Sequence, residues 1–312
     1  MLGSLQHTLK SFLLPTCTRY LCAGKVHTVN KSQQSYQYAI DRVKTYDYES
    51  YLIILLGAKK WRYPMFVLHA YNVELSLILE LAADARTLAG RFAFWTDVLN
   101  GVYSDTPPYD HPVVQELTTL HKLNLINSQQ SQNFLFNMLT SRKKVSQVTH
   151  FETLDQLERY SEHTKSSLLY LLLNMSGESS IDTDHVASHV GRCYGLITAL
   201  RSTPYLASKN QLLLPQDLLS KHKVSQSDVL RMKNNVKEVV FEMASVAHVH
   251  LQKTQKLMEK LPKNTRQYFL LTAICNNQLE LLRKCDFNLH DPLFLKKNPM
   301  LPWHLWRAKR KL

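Results

Sequence analysis

Apolar residues recur at intervals of three and four positions along most of this chain. That spacing places them on one face of an α-helix, whereas the strict alternation of a β-strand is rare. The chain has only eight glycines in 312 residues, and most of its prolines stand between the periodic segments, where they favour helix ends. The pattern predicts helices at 48–57, 65–81, 88–102, 112–125, 151–174, 186–201, 227–258 and 264–285. The sequence therefore predicts an all-α protein.

The periodic segments follow one another without a repeat or a linker, so we expect one domain at residues 35–312. That length is large for a helical domain but fits a single bundle around a central cavity. No segment approaches the roughly 18 to 20 continuous apolar residues of a membrane span. The apolar run 168–173 is bounded by Lys165 and Asn174, and we interpret it as a core or cavity-lining helix.

The first forty residues contain no acidic residue and four basic ones, Lys10, Arg19, Lys25 and Lys31, among many Ser, Thr and Leu. This composition is typical of a mitochondrial transit peptide, which we place at residues 1–34. An untargeted, disordered tail is the alternative.

The formal net charge is +13, and most of it lies beyond the leader. Basic proteins seek phosphates, on nucleic acids or on anionic lipids. The chain has no zinc spacing, RNP-like strand or heptad-bearing basic region, so the sequence does not predict a nucleic-acid partner. Its five cysteines form no Cys-x-x-Cys pair, and no Glu follows His185 in the metalloprotease pattern. We therefore expect no metal and no cofactor.

Four segments, in order and spacing, resemble the squalene/phytoene synthase family. Residues 200–207 (LRSTPYLA), followed by LLLP at 212–215, resemble the second motif, Arg-Asp-x-x-x-Asp. Residues 70–80 (AYNVELSLILE) resemble the segment with the first motif, Asp-Asp-x-x-Asp, and residues 90–99 and 160–171 resemble helices that follow it. The resemblance spans about residues 45 to 295 and implies an isoprenoid-synthase-like helical bundle with a central cavity.

The aspartates of both motifs are largely missing. The matching positions are Ser76, Leu77 and Glu80 in the first motif and Ser202 and Leu206 in the second. In the family these carboxylates hold magnesium, a hard cation that neutralises the diphosphate leaving during head-to-head prenyl transfer.

No Asp or Glu occurs between residues 185 and 216, so a slip in the alignment cannot restore the second motif. A register shift could pair Glu80 with Asp84 in the first motif, with a solvated helix edge as the alternative. The sequence thus predicts a protein without catalytic activity and disfavours an active prenyl transferase.

Within the family, the chain most resembles a non-catalytic branch that serves the assembly of mitochondrial respiratory complex I. Segments 70–75, 201–205 and 296–302 carry this likeness. It implies partners among complex I subunits or other assembly factors, and a place on the matrix side of the inner membrane. A lipid or isoprenoid carrier that uses the inherited cavity is the alternative, and the two roles can coexist.

Two sets of residues are candidates for contacts with anions or membranes. Without the aspartates, we expect an electropositive cavity mouth that binds an anionic head group without metal; the alternative is a solvated rim. Its residues would be Arg91, Tyr160, Arg192, Arg201 and Lys209. The C-terminal tail combines tryptophans with cations, as peripheral membrane anchors do, unless its tryptophans simply pack on the bundle. Its contact residues would be Trp303, Trp306, Arg307, Lys309, Arg310 and Lys311.

Overall fold

The computed structural model describes residues 31–106, 109–148, 150–209, 211–231, 236–296 and 298–312. Lys31–Leu312 form one compact unit, and all regular secondary structure in the described ranges is helical. This confirms the all-α prediction. Residues 1–30 of the predicted transit peptide lie outside the described residues, and residues 31–34 belong to the first helix. None of the described helices is long and apolar enough to cross a bilayer.

The α-helices of the described ranges are α1 Lys31–Tyr46, α2 Tyr48–Leu56, α3 Lys59–Leu81, α4 Ala85–Tyr103, α5 Pro112–Lys122, α6 Gln129–Val145, α7 Leu154–Ser161, α8 Ser167–Ser176, α9 Ile181–Ser208, α10 Gln216–Lys221, α11 Gln226–Leu230, α12 Val236–Met258, α13 Lys263–Arg266, α14 Leu271–Lys284, α15 Pro292–Leu295 and α16 Leu301–Lys309. A π-helical turn, Glu162–Ser166, joins α7 to α8, and a 3₁₀ turn, Gln267–Phe269, precedes α14.

Periodicity alone missed five of these helices: α1, α6, α10, α15 and α16. Helix α6 is rich in Gln, Asn and Ser, so its apolar stripe is weak. Its ends still carry ordinary helix signals, since Ser128 accepts a hydrogen bond from the backbone of Ser131 at the start and cations occupy the last turn. Pro64 and Pro204, expected to end helices, lie inside α3 and α9. Each proline removes one backbone donor from the helix, and the surrounding core compensates for that loss.

The core forms two main clusters. One surrounds α9, α12 and α14 and includes Leu200, Met243 and Ile274. The other surrounds α3, α4 and α5 and includes Tyr71 and Phe92. Helices from both clusters, α3 on one side and α9 and α14 on the other, contribute walls to the same cavity.

Two glycines on one face of α9 let the π-helical turn approach closely. A Cβ atom added at Gly191 would lie 2.5 Å from the backbone nitrogen of Ser166, and one at Gly195 would collide with Ser161. No side chain fits there, so these positions require glycine. The close contact fixes the π-helical turn against α9 and thereby positions Lys165, which this turn carries. Turns of this kind occur frequently at functional sites.

Candidate functional site

The two altered motif segments face one cavity of about 470 Å³. We call it the outer cavity. Helices α2, α3, α9 and α14 line it, and residues 294–296, 298 and 301 near the C-terminus provide a further wall. Among its lining residues are Asp47, Glu49, Asn72, Ser76, Lys165, Arg201, Ser202 and Asn277.

The motif positions themselves offer no free carboxylate to this space. The hydroxyl groups of Ser76 and Ser202 each donate to a carbonyl three residues earlier in their own helix, at 2.8 and 3.0 Å. Leu77 is buried, Glu80 is exposed at the end of α3, and Leu206 is half-buried. Ser76 and Ser202 thus mark where the family's two metal-binding walls would meet, but with neutral side chains.

The donor set does not fit a magnesium cluster. Asp84, the partner that a register shift would give Glu80, instead caps α4 by accepting from the backbone of Thr87 at 2.7 Å. In the described part of the chain, no group of three or more His, Cys, Asp or Glu side chains is placed to hold a metal ion. Magnesium requires several oxygen ligands in octahedral arrangement, and the motif serines, bonded within their own helices, do not supply them.

Two carboxylates do line the outer cavity, and both come from the start of α2. Asp47 caps this helix by accepting from the backbone of Ser50 at 3.2 Å, and its other oxygen lies 3.6 Å from Nδ1 of His69. Burial alone would raise the pKa of Asp47, but the electrostatic attraction of the neighbouring His69, and then of Lys165, outweighs it and lowers that pKa to about 2.

The second carboxylate, Glu49, changes the expected charge of the cavity mouth. Its two oxygens accept from Nη1 of Arg201 at 2.8 and 2.9 Å, and one also accepts from the hydroxyl of Tyr194 at 2.9 Å. No carboxylate of the second motif segment offsets Arg201, but in the folded chain α2 supplies a counter-charge from 152 residues away.

Lys165 lies between the outer cavity and a second, inner pocket, since it lines both. Its ammonium lies 5.3 Å from the ring centre of Tyr194, which also lines both spaces. Burial lowers the pKa of Lys165, an effect that Asp47 offsets only in part. Sequence reasoning had used Lys165 only as the boundary of an apolar run. One sequence feature could have pointed to Lys165: it is the only Asp, Glu, Lys or Arg between residues 163 and 177.

The inner pocket is apolar and small. Its walls include Ile53, Met65, Leu168, Leu172 and Leu271. The free volume is about 80 Å³, less than the roughly 150 Å³ of an engineered apolar cavity that accommodates benzene. A prenyl chain of fifteen or more carbons does not fit this space unless the helices move.

Of the five residues predicted to bind an anion, the structure brings only Arg201 to the outer cavity. Arg91 lines a separate shallow pocket beside α4. Tyr160 packs on Phe151, with ring centres 5.5 Å apart. Arg192 donates from Nε to Glu162 at 3.0 Å. The ammonium of Lys209 lies 4.5 Å from the ring centre of Tyr205.

The C-terminal tail forms a helix that is half core and half surface. Leu301 and Leu305 are buried in the α9 cluster. Trp303 and Trp306 remain 47% and 42% exposed, with Arg307 and Arg310 stacked on them at 5.5 and 3.7 Å. A separate contact fixes the helix to α2, since Lys309 donates to the carbonyl of Leu56 at 2.6 Å. The buried and exposed residues therefore lie on different faces of α16.

Comparison with known proteins gives consistent matches. Residues 43–307 match the model of the family described as squalene/phytoene synthase. The chain is 34% identical over 279 residues to NADH dehydrogenase (ubiquinone) complex I, assembly factor 6, from Bos taurus, covering 88% of this chain and 82% of that protein. The Mus musculus protein of the same name is 32% identical over 281 residues, covering 88% and 83%. Among solved structures, a dehydrosqualene synthase in complex with ligand superposes with a TM-score of 0.75 at 18% identity, covering 90% of this chain and 97% of that one, which shows the fold alone.

Proposed function

We propose, from the premise that this chain belongs to the squalene/phytoene synthase family, that it is a non-catalytic assembly factor for mitochondrial respiratory complex I. The family membership confirms the resemblance inferred from the motif segments. The observation that carries the proposal is the identity of about a third, over most of both chains, with proteins named as complex I assembly factor 6. The partners would be complex I subunits or other assembly factors.

The donor groups in the outer cavity support a role without catalysis. Electrostatic stabilisation of the departing diphosphate is the largest contribution that such an enzyme makes. Here Ser76 and Ser202 replace carboxylates, and the hydroxyl of each is bonded to its own helix. Asp47 and Glu49 are held by α2, His69 and Arg201. No carboxylate pair is left to hold a charge-neutralising cation.

The size of the inner pocket weighs against the alternative role as an isoprenoid carrier. A carrier must enclose its ligand's apolar chain to shield it from water. The space behind Lys165 is about 80 Å³, and the outer cavity in front of it is lined by charged and polar side chains. Binding to proteins or to a membrane is the better-supported mode of action.

We infer that the protein acts at the matrix face of the inner membrane, after import directed by residues 1–34, and contacts anionic lipid through its C-terminal surface. Leu293, Leu295 and Met300 are about half exposed, and they adjoin the exposed tryptophans of α16 in sequence. Arginines flank those tryptophans, and aromatic rings beside cations suit the interface between lipid tails and phosphates. Each cation near an anionic surface contributes about 1 kcal/mol, enough in combination for reversible binding without a span.

Loss of the protein from its source cells tests the assembly role. Native gel electrophoresis of their mitochondria should show less assembled complex I and unchanged amounts of the other respiratory complexes. Expression of the wild-type chain should restore complex I. A full complement of active complex I in cells lacking the protein would contradict the proposal.

A separate assay tests the absence of catalysis. The purified chain, incubated with farnesyl or geranylgeranyl diphosphate and magnesium or manganese, should form no squalene- or phytoene-type product, whereas an active squalene synthase in parallel should. Product above the level without protein would show that the outer cavity retains activity.

Membrane contact requires point variants rather than truncation. Deleting residues 300–312 would remove Leu301 and Leu305 from the core, so the truncated body would lose stability. Trp303→Ser with Trp306→Ser changes only the exposed face. This double variant should sediment less than wild type with cardiolipin-containing vesicles, and salt should weaken the binding of both proteins. Tyr109→Ser serves as the matched control, because Tyr109 is an exposed aromatic residue far in sequence from α16. Equal sedimentation of all three proteins would place membrane contact elsewhere.

A further inference from the structure

Two cations near the inner end of the outer cavity have no carboxylate partner among the described residues: Lys165 lines the cavity, and the buried Arg142 lies behind Asn72, which also lines it. Lys165 forms no ion pair and no hydrogen bond with the described residues, and its ammonium lies 5.3 Å from the ring centre of Tyr194. Arg142 on α6 is 4% exposed, and it donates to the carbonyl of Met138 at 2.8 Å and to Oδ1 of Asn72 at 2.6 Å. Both acceptors are neutral. A charge removed from water is costly unless an opposite charge compensates for it.

The two carboxylates that line the same cavity are engaged with other groups. Glu49 is paired with Arg201, and Asp47 caps α2 and faces a histidine. Asp47 acts on Lys165 only at longer range, and burial outweighs that attraction and lowers the pKa of Lys165. Burial also lowers the pKa of Arg142. The two positive charges are therefore under-compensated by the protein itself.

Neutral donors at the cavity wall also lack partners. A guanidinium has no acceptor, so Arg142 must face the oxygen of the Asn72 amide, which leaves the NH₂ group of Asn72 as a donor. Asn72 lines the outer cavity, and so does Asn277, whose Nδ2 is buried without a hydrogen-bond partner in the described part of the chain. Buried donors of this kind are rare unless a ligand or water accepts from them.

We propose that the outer cavity is a metal-independent binding site for a phosphate monoester, with Lys165 as its counter-ion and Asn72 and Asn277 as further donors. A phosphate monoester carries about −1.5 to −2 charges and three strongly accepting oxygens at neutral pH, which matches Lys165 and the two amide donors of the wall together with the positive charge of Arg142 behind Asn72. A carboxylate or a phosphodiester would balance only one of the cations. The cavity, at about 470 Å³, is roomy enough for such a head group, whereas the 80 Å³ inner pocket is too small for an attached lipid chain.

The ligand would therefore place its phosphate inside and any apolar chain outside. This orientation differs from that of an enclosed prenyl chain, and it goes beyond the proposed role in assembly because it needs no partner protein. The phosphate could belong to a soluble metabolite or to the head of phosphatidic acid at the membrane surface. The chemistry of recognition is the same for both sources.

Calorimetric titration of the full chain in EDTA with sn-glycerol 3-phosphate tests the soluble source. Vesicles of phosphatidylcholine with phosphatidic acid, compared with vesicles containing phosphatidylglycerol instead, test the lipid source. Lys165→Met should weaken binding of the monoester probe about tenfold or more, since it removes a charge-assisted contact, and Lys165→Arg should retain part of the binding. Lys143→Met is the control, because this exposed lysine neighbours Arg142 on α6 but does not line the cavity.

A second measurement uses the wild-type chain alone, so that a poorly folding variant cannot obscure the result. Acetylation of lysines with and without the bound probe, followed by mass spectrometry, should show that the ligand protects Lys165 while leaving Lys143 reactive. Binding of either monoester probe with protection of Lys165 supports the site. It is overturned if wild type binds neither probe, or if Lys165→Met binds as tightly as wild type. A loss of vesicle binding on changing Trp303 and Trp306, with glycerol 3-phosphate binding unchanged, would concern the proposed membrane surface and leave this site intact.

Discussion

The ion pair between Glu49 and Arg201 should be the strongest single polar link between α2 and α9. Glu49→Ala removes the acceptor for Arg201, for the hydroxyl of Tyr194 and for the more distant amide of Gln278, at 3.4 Å. Breaking a buried ion pair from one side costs about 3–5 kcal/mol. The Arg201 side chain is 37% exposed and can regain water, whereas Glu49 is only 13% exposed. We therefore expect a loss near the lower limit, about 3 kcal/mol in the free energy of unfolding.

Urea titration measures this loss directly, and thermal unfolding should show a Tm lower by roughly 6 °C, at about 2 °C per kcal/mol for a chain of this size. Glu280→Ala is the matched control, since its pair with Arg283 is an exposed i,i+3 contact, 50% and 68% exposed, and should cost less than about 1 kcal/mol. The double variant Glu49→Ala/Arg201→Met should lose about 1–2 kcal/mol less than the sum of its single variants. A cost for Glu49→Ala no greater than that of the control would refute this account of the link.

Two further predictions concern α9. Gly191→Ala should destabilise the fold by about 1–2 kcal/mol in urea titration, because the new Cβ would lie 2.5 Å from a backbone nitrogen of the π-helical turn and overpacking outweighs the helix propensity gained. Gly90→Ala is the control, since a Cβ there meets nothing within 4 Å, and it should be neutral or stabilising. A larger loss of stability for Gly90→Ala than for Gly191→Ala would contradict the packing. Burial and then the charge of His250, whose ring nitrogen is 2.8 Å away, lower the pKa of His189 to about 4, so the folded chain binds this proton less readily than the unfolded chain. The contribution of His189 to stability should be fully present above about pH 6.5 and should fall as the pH drops towards 4. His189→Gln should therefore make the urea midpoint less dependent on pH in this range, whereas the exposed His248→Gln should not. An equal pH dependence of the urea midpoint in the two variants would argue against this role of His189.

The fold was predictable because helical spacing and motif order are local signals. Helix α9 shows both the strength and the limit of this reasoning. Its apolar spacing predicted a helix at 186–201, and the structure extends it to Ser208 through Pro204. A proline weighs against a helix when its neighbours in sequence are considered alone. It is tolerated here because residues such as Thr203 and Ala207 are buried in the bundle, and that burial is a tertiary effect.

The composition of the site was less predictable than its position. The two motif segments lie at one cavity, since Ser76 and Ser202 both line it. The charged residues of that cavity come partly from elsewhere. Glu49 reaches Arg201 across 152 residues, and no local pattern specifies such a contact. Arg91 and Arg192 lie near the motif segments in sequence but do not line the outer cavity, because on a helix a difference of one or two positions turns a side chain to another face.

The C-terminal segment has a consequence for the order in which the protein folds. One wall of the outer cavity comes from residues 294–296, 298 and 301, and Lys309 contacts Leu56 across 253 residues. Contacts of such long sequence separation form slowly, because the closure entropy of the intervening chain must be overcome first. Helices near the start of the domain can form before the last segment is in place, but the cavity cannot be complete until that segment docks. Any ligand that needs the whole cavity would therefore discriminate between finished and unfinished chains.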